Sequence, residues 1–270
     1  MQQPTEFVIE LGQSGDQIVQ RSGLPVKRSQ VSSALLYDAS PDRVGVEVAP
    51  VIVHGQRKVG LPAAESLLFY DDLEESGGVQ EVTVHVLMPA IPDGDDAQQR
   101  YYELVRSQLG EIFQRFAAAG WARYIPLSEP RVAGRDSYDL KGAWGQGRDL
   151  AADPAYLPEV KEWASMGGEL ATTRWTWYAD GIFANLSYDI GDVAGGNPGG
   201  IRVSVQTERM ALQAYDPAME GNWEAARKAY QESLPEQLAE REARETEART
   251  AGVRVLQDWR DPTVAGAVVR

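Results

Sequence analysis

A strand, a long amphipathic helix, a glycine and a second strand follow one another between residues 79 and 126, and this succession constrains the fold most. Val79–Met88 begins with strict alternation of apolar and polar side chains, the pattern of a strand with one buried face. An apolar stripe at helical spacing then predicts a helix that begins at Asp95 or Asp96 and ends at Gly120. The stripe consists of Tyr102, Val105, Leu109, Ile112, Phe113 and Phe116. Trp121–Pro126 resumes as a strand, so the segment predicts a compact α/β unit.

Shorter strands are predicted before this unit, separated by Gly, Pro, Asn, Asp or Ser turns. They cover residues 7–11, 33–37, 44–53 and 65–70. A short helix between the first two strands has Ser14 or Asp16 as its cap, and Gly23 ends it.

The second half of the chain predicts a hairpin, a helix and a further strand before its C-terminal segment. Residues 172–179 and 182–190 flank Asp180-Gly181, a strong tight-turn signal. A helix is predicted at residues 157–165, and the glycine-rich residues 191–200 lead to a strand at 201–208.

The C-terminal residues 220–255 are rich in Ala, Glu and Arg and have few large apolar side chains. Pro235 predicts two helices or one kinked helix. Residues 236–249 have almost no apolar stripe, so we expect a solvated helix supported by the charge pairs Glu240–Arg244 and Glu245–Arg249, or one held by a partner.

These elements predict an α+β fold with two sheet-containing α/β units and a polar helical C-terminal segment. The predicted domains are an N-terminal unit at 1–126, a loop or linker at 127–153, and a C-terminal α+β unit with its helical tail at 154–270.

Composition excludes several classes of protein. The chain has 270 residues, no cysteine and a net charge of −14. A chain without cysteine has no disulfide framework, zinc ribbon or thiol nucleophile. So acidic a chain without a basic patch is a poor ligand for nucleic acid. Its apolar runs are also too short to span a bilayer, for which about 20 residues are needed.

The patterns that would indicate catalysis are incomplete. Gly12-Gln13-Ser14-Gly15-Asp16 has aspartate where a nucleophile elbow needs its second flanking glycine. The glycine-rich segments 142–147 and 191–200 match neither a P-loop nor a dinucleotide fingerprint. Asp93-Gly94-Asp95-Asp96 lacks the ligand order of a calcium loop and is more simply an acidic turn. We therefore predict no catalytic residue, no metal site and no cofactor.

Acidic residues are concentrated around the strand at 79–88. Residues 71–100 carry a net charge of −7, half of the chain's total. Such a field is tolerated more readily where a positive partner docks, although it also favours solubility. Trp144, in a glycine-rich loop, is a candidate anchor because Trp is enriched among binding hot spots. The candidate partner-binding residues are Asp71, Asp72, Glu74, Glu75, Asp93, Asp95, Asp96 and Trp144.

Two resemblances bear on function. Residues 9–19 with Gly23-Leu24-Pro25 resemble the opening of small bacterial envelope lipoproteins of the BamE/SmpA type. The overall layout is similar to periplasmic immunity proteins that bacteria pair with toxins of the type VI secretion system. That similarity lies in the α/β units, Gly120-Trp121, the hairpin at 177–181, the acidity and the lack of a catalytic set. The lipobox cysteine of the lipoproteins is missing, which is expected only if the chain starts just after it.

The immunity-protein resemblance implies a non-enzymatic protein of the bacterial envelope that occludes a secreted antibacterial toxin, for example a lipase effector. Its partner would be a protein with a basic rim. We expect a periplasmic mature chain whose leader was removed, lipid-anchored in its full-length form; a cytoplasmic protein with its own initiator is the alternative. Other readings are a carboxylate- or metal-dependent hydrolase with 127–153 and 191–200 as a lid, and an envelope assembly adaptor.

Overall fold

The computed structural model describes residues 3–72, 78–138, 150–162, 172–216, 218 and 222–266. Its strands are β1 (Thr5–Glu10), β2 (Lys27–Val31), β3 (Ala34–Asp38), β4 (Val48–His54), β5 (Arg57–Gly60), β6 (Ala64–Asp72), β7 (Val79–Val86), β8 (Ala122–Arg123), β9 (Thr172–Ala179), β10 (Ile182–Ile190) and β11 (Gly199–Thr207). Its helices are α1 (Gly15–Ser22), α2 (Pro41–Val44), α3 (Ala97–Ala118), α4 (Glu208–Leu212) and α5 (Trp223–Thr250). The predicted α+β class is confirmed.

Two compact units divide the chain. The first comprises residues 1–121 and 191–207, and the second comprises 122–190 and 208–270. This differs from the predicted division, which assumed that each unit is continuous in sequence. Residues 191–207 return to the first unit because β11 pairs with β7. The predicted linker also differs, because its described residues Leu127, Val132 and Leu150 are buried in clusters of the second unit.

The first unit contains a small mixed sheet and an antiparallel run of five strands. In the small sheet β1 pairs with β4 in parallel, and β5 pairs with β4 antiparallel. The five strands have the order β2-β3-β6-β7-β11. Along β7, Val82, Val84 and Val86 are buried while His85 is exposed, which confirms the predicted alternation. Strands β2 and β5 have no counterpart among the predicted strands.

Helix α3 buries the whole predicted stripe and also Tyr101. Gly120 has a φ of +77°, as expected of the residue that ends a helix. Arg57 of β5 donates to the Ala119 and Gly120 carbonyls and so satisfies the free carbonyls of the C-terminal end. Beyond this end, the strand predicted at 121–126 is limited to the two residues of β8.

The second unit contains the antiparallel strands β8, β9 and β10. The hairpin of β9 and β10 has the predicted bounds, and Asp180 and Gly181 both have positive φ. Of the helix predicted at 157–165, residues 160–162 are helical and 163–165 lie outside the described residues. Helix α5 runs unbroken through Pro235, so the two-helix alternative is wrong.

The prediction of a solvated C-terminal helix is also wrong. Helix α5 buries Tyr230 in one apolar cluster and Ala248 in another. It also buries Arg241 and Glu245, which are charged and therefore do not register as an apolar stripe. The two predicted charge pairs, Glu240–Arg244 and Glu245–Arg249, are present. Among the described residues, no helix combines the length and apolar character needed to cross a membrane.

Gly15 is needed because the first turn of α1 lies against Tyr37. A Cβ atom at position 15 would overlap the Tyr37 ring, whereas one at Gly200 would meet nothing within 4 Å. Tyr37 is buried and stacked on Phe69, so its ring has no space to move into.

We predict that Gly15→Ala lowers the free energy of unfolding by about 1–3 kcal/mol through overpacking. Gly200→Ala is the matched control, and we expect it to change stability by less than about 1 kcal/mol. Urea unfolding followed by circular dichroism measures both variants. Equal stability of the two variants would contradict the tight packing at Gly15.

Candidate functional site

The two groups of candidate acids lie at opposite ends of β7. Asp71 and Asp72 end β6, which pairs with the start of β7. Residues 93–96 precede α3, whose Tyr101 hydroxyl donates to the Pro198 carbonyl just before β11. Since β11 runs antiparallel to β7, the start of β11 lies beside the end of β7. Residues 93–96 therefore lie toward the end of β7, whereas Asp71 and Asp72 lie at its start. A strand of eight residues is roughly 26 Å long, so the two groups do not form one site.

Asp71 is not a surface acid, which corrects its assignment as a partner-binding residue. It is only 6% exposed, and its carboxylate accepts the Gly15 N–H at 2.9 Å. The Ser14 side chain, predicted as a cap, makes no cap hydrogen bond. Asp71 therefore satisfies the N-terminal end of α1 from a distant strand, where a negative charge is stabilised by the helix dipole.

Asp72 points to the opposite face of β6, where it accepts the Tyr70 hydroxyl at 3.1 Å. Burial and then the charge of Asp72 raise the pKa of Tyr70 to about 12, so Tyr70 stays a neutral donor even in mildly alkaline solution. The neighbouring Glu81 accepts hydroxyls from Thr83 and Ser204. These acids are engaged within the sheet. Glu74, Glu75 and Trp144 lie outside the described residues.

The loop at 93–96 is held by Arg100 of α3. The guanidinium donates to the Asp93 carbonyl, and its Nε lies 3.0 Å from the Asp96 carboxylate. Asp93 and Asp95 are exposed, and within the described residues neither carboxylate has a hydrogen-bond or salt-bridge partner. The loop thus presents two free carboxylates from a backbone that is fixed in place.

Two exposed leucines lie along α3, roughly 12 to 18 Å from this loop as measured by the helical rise. Leu87 and Leu104 are each 46% exposed. Gln108 donates to the Leu87 carbonyl at 2.9 Å, and Leu104 lies one helical turn before Gln108 on the same face of α3. We name Leu87, Leu104, Asp93 and Asp95 the acidic–leucine patch. The leucines are absent from the predicted partner-binding residues, because neither belongs to the periodic stripe that buries α3.

The described residues contain no group of three His, Asp or Glu side chains that could hold a metal ion. The described parts of both suggested lid segments are anchored. Leu127, Val132 and Leu150 are core residues, and Tyr101 binds the 191–200 loop at the Pro198 carbonyl. These contacts do not support the alternative in which residues 127–153 and 191–200 form the lid of a hydrolase.

The second unit holds a buried network of ion pairs beneath α5. Glu245 accepts two hydrogen bonds from the Arg131 guanidinium, at 2.6 and 2.9 Å, and one from the Arg131 N–H. Arg241 binds both carboxylate oxygens of Asp261 and donates to the Glu129 carbonyl. Buried charges are common at functional sites, but here each is satisfied by a protein partner. The network therefore serves to dock α5.

Glu245 makes this docking sensitive to acid. Burial alone would raise the pKa of Glu245, but the hydrogen bonds and charge of Arg131, with the charge of Arg249, outweigh burial and lower it. A carboxyl whose pKa is lower in the folded state stabilises the fold above its unfolded pKa. That stability is lost as the pH falls through the folded value.

Comparison with models of known protein families, with curated proteins and with solved structures finds no match for the chain.

We predict that Glu245→Gln lowers the free energy of unfolding at pH 7 by about 1–3 kcal/mol, because it leaves the partly exposed guanidinium of Arg131 without its counter-charge. The variant should also lose less stability than the wild type between pH 6 and pH 3, because one acid-sensitive group is gone. Urea unfolding across this pH range measures both effects. Exposed Glu242→Gln is the control on the same helix, and equal behaviour of the two variants would contradict the role of Glu245.

Proposed function

We propose that this chain is a non-enzymatic binding protein of the bacterial envelope that docks a basic protein on the acidic–leucine patch. The observation that carries the proposal is a surface along α3 that combines two exposed leucines with two free carboxylates on the fixed loop before the helix. Protein interfaces combine an apolar centre with a polar rim, and this patch has both parts.

The charge of the chain favours a basic partner. With a net charge of −14, the chain attracts cationic surfaces over a distance, which raises the rate of association. The free carboxylates of Asp93 and Asp95 would orient such a partner. The leucines would then lose their contact with water in the complex, which slows dissociation.

Within this class, the partner we propose is a toxin delivered by the type VI secretion system, and the chain is its periplasmic immunity protein. The supports are the resemblance in overall character, the acidity and the patch. A toxin is neutralised when its active surface is covered, so no chemistry by the binding protein is needed.

The experiment begins with cross-linking of the full chain in a native lysate and identification of the bound protein. The purified partner is then tested for toxicity in the periplasm of a susceptible bacterium, with and without the chain. We expect one stoichiometric basic partner whose toxicity the chain abolishes. The proposal would be contradicted if no stoichiometric partner is found, or if the partner remains toxic in the presence of the chain.

We predict that Asp93→Lys/Asp95→Lys slows association with this partner at least about tenfold at low salt, with a smaller effect at high salt. Leu104→Asp should instead accelerate dissociation, because it places a charge in the apolar centre. Surface plasmon resonance separates the two rates. The double variant Glu236→Lys/Glu242→Lys makes the same charge change at exposed positions of α5 and controls for net charge. If it slows association as strongly, the patch is not the docking site.

A further inference from the structure

Residues 263–266 of the second unit, which we name the strap, follow α5 in sequence and are bound by its side chains. Val264 and Ala265 are buried, at 3% and 5% exposure. Thr263 and Gly266 on either side of them are exposed. The strap therefore inserts a two-residue anchor into the unit and faces solvent before and after it.

The main chain of Ala265 is bound on both sides by side chains. Its N–H donates to the Glu208 carboxylate of α4 at 3.0 Å. Its carbonyl accepts from the Arg227 guanidinium at 3.0 Å and from the Gln231 amide at 3.2 Å, both on α5. Tyr178 donates to the same Glu208 carboxylate and so fixes its position. We name Glu208, Arg227 and Gln231 the clamp, because together they bind the N–H and the C=O of one residue.

The side chain of Val264 fills an apolar pocket beside the clamp. The buried side chains of this pocket are Tyr124, Leu127, Phe183, Leu212 and Tyr230. An aliphatic side chain gains free energy here by leaving water, whereas a charged side chain would lose its hydration without a partner. An apolar pocket with a few placed polar groups is the usual form of a ligand-binding site.

The backbone of the strap favours glycine at two successive positions. Ala265 has a φ of +50° and Gly266 a φ of +74°. Glycine adopts such angles freely, but alanine adopts them at a cost. At Gly266 a Cβ atom would also come within 3.0 Å of the Arg227 guanidinium. A Val-Gly-Gly segment would therefore fit the clamp and the pocket better than the strap does, since the strap has alanine at its strained position.

We infer that the clamp and the pocket form a peptide-binding site, which the strap occupies as an internal competitor and to which a partner protein supplies a Val-Gly-Gly segment. A tethered segment competes at an effective concentration in the millimolar range. A partner segment without the strained alanine binds more tightly and displaces the strap. The clamp and the pocket belong to the second unit and the acidic–leucine patch to the first, so this inference goes beyond the proposed function and does not depend on it.

The test uses the full chain and a fluorescein-labelled peptide, acetyl-Pro-Thr-Val-Gly-Gly-Ala, which repeats residues 262–267 with glycine for Ala265. Val264→Asp expels the strap, because its carboxylate cannot be buried in the apolar pocket. By fluorescence anisotropy, we expect the peptide to bind this variant at least about tenfold more tightly than the wild type. Thr263→Asp adds the same charge at an exposed position and is the matched control. A folded Val264→Asp variant that binds no more tightly than this control would overturn the inference.

Two further peptides test which features the site recognises. A peptide with aspartate in place of valine should not bind Val264→Asp, because the pocket excludes its charge. A peptide that keeps the alanine of the strap should bind about threefold more weakly or worse, because only glycine adopts the left-handed angle freely. Equal binding of all three peptides would contradict the recognition of a Val-Gly-Gly segment.

Hydrogen exchange of the strap in the wild-type chain gives a second readout that needs no variant. Peptide can enter only when the strap has left, so exchange of residues 263–266 should accelerate in proportion to the peptide concentration. We expect an acceleration of at least about fivefold at millimolar peptide, measured by mass spectrometry. The peptide with aspartate in place of valine should have no effect. A strap whose exchange is unchanged by the Val-Gly-Gly peptide is permanent packing, and the inference would then be wrong.

Discussion

The second unit depends on two buried ion pairs that fix its longest helix. Arg241 and Glu245 lie one turn apart on α5 and are 3% and 2% exposed. Removing two charges from water is costly, and the cost is offset only when each charge finds its partner in good geometry. Arg131 and Asp261 provide these partners. A helix displaced by one turn would leave both charges buried and unpaired, so the pairs set its position more strictly than apolar contacts do.

The sequence predicts elements whose pattern is local. The stripe of α3, the alternation of β7 and the Asp180-Gly181 hairpin all follow from neighbouring residues, and the structure contains them. The docking of α5 could not be predicted in this way, since Glu245 finds Arg131 across 114 positions of the chain. A charged side chain in a polar helix looks solvated until its distant partner is known.

The same limit applies to the candidate site. The clustering of acids in the sequence predicts candidate binding residues at both ends of β7. It cannot distinguish Asp71, whose carboxylate accepts a hydrogen bond within the fold, from Asp93 and Asp95, whose carboxylates are free. That distinction depends on the approach of α1 to β6, which brings together residues 56 positions apart. Exposure of Leu87 and Leu104 is equally invisible in sequence, because leucine is usually a core residue.

The return of β11 to β7 has a consequence for synthesis of the chain. The polypeptide crosses between its two units three times, after residues 121, 190 and 207. The five-stranded run therefore stays incomplete until β11 has left the ribosome, by which time about half of the second unit has already emerged. Closing so long a loop slows folding. During that interval the edge of β7 that β11 later covers is exposed. Because an unpaired strand edge promotes aggregation, this edge of β7 must be protected while the chain is being synthesised.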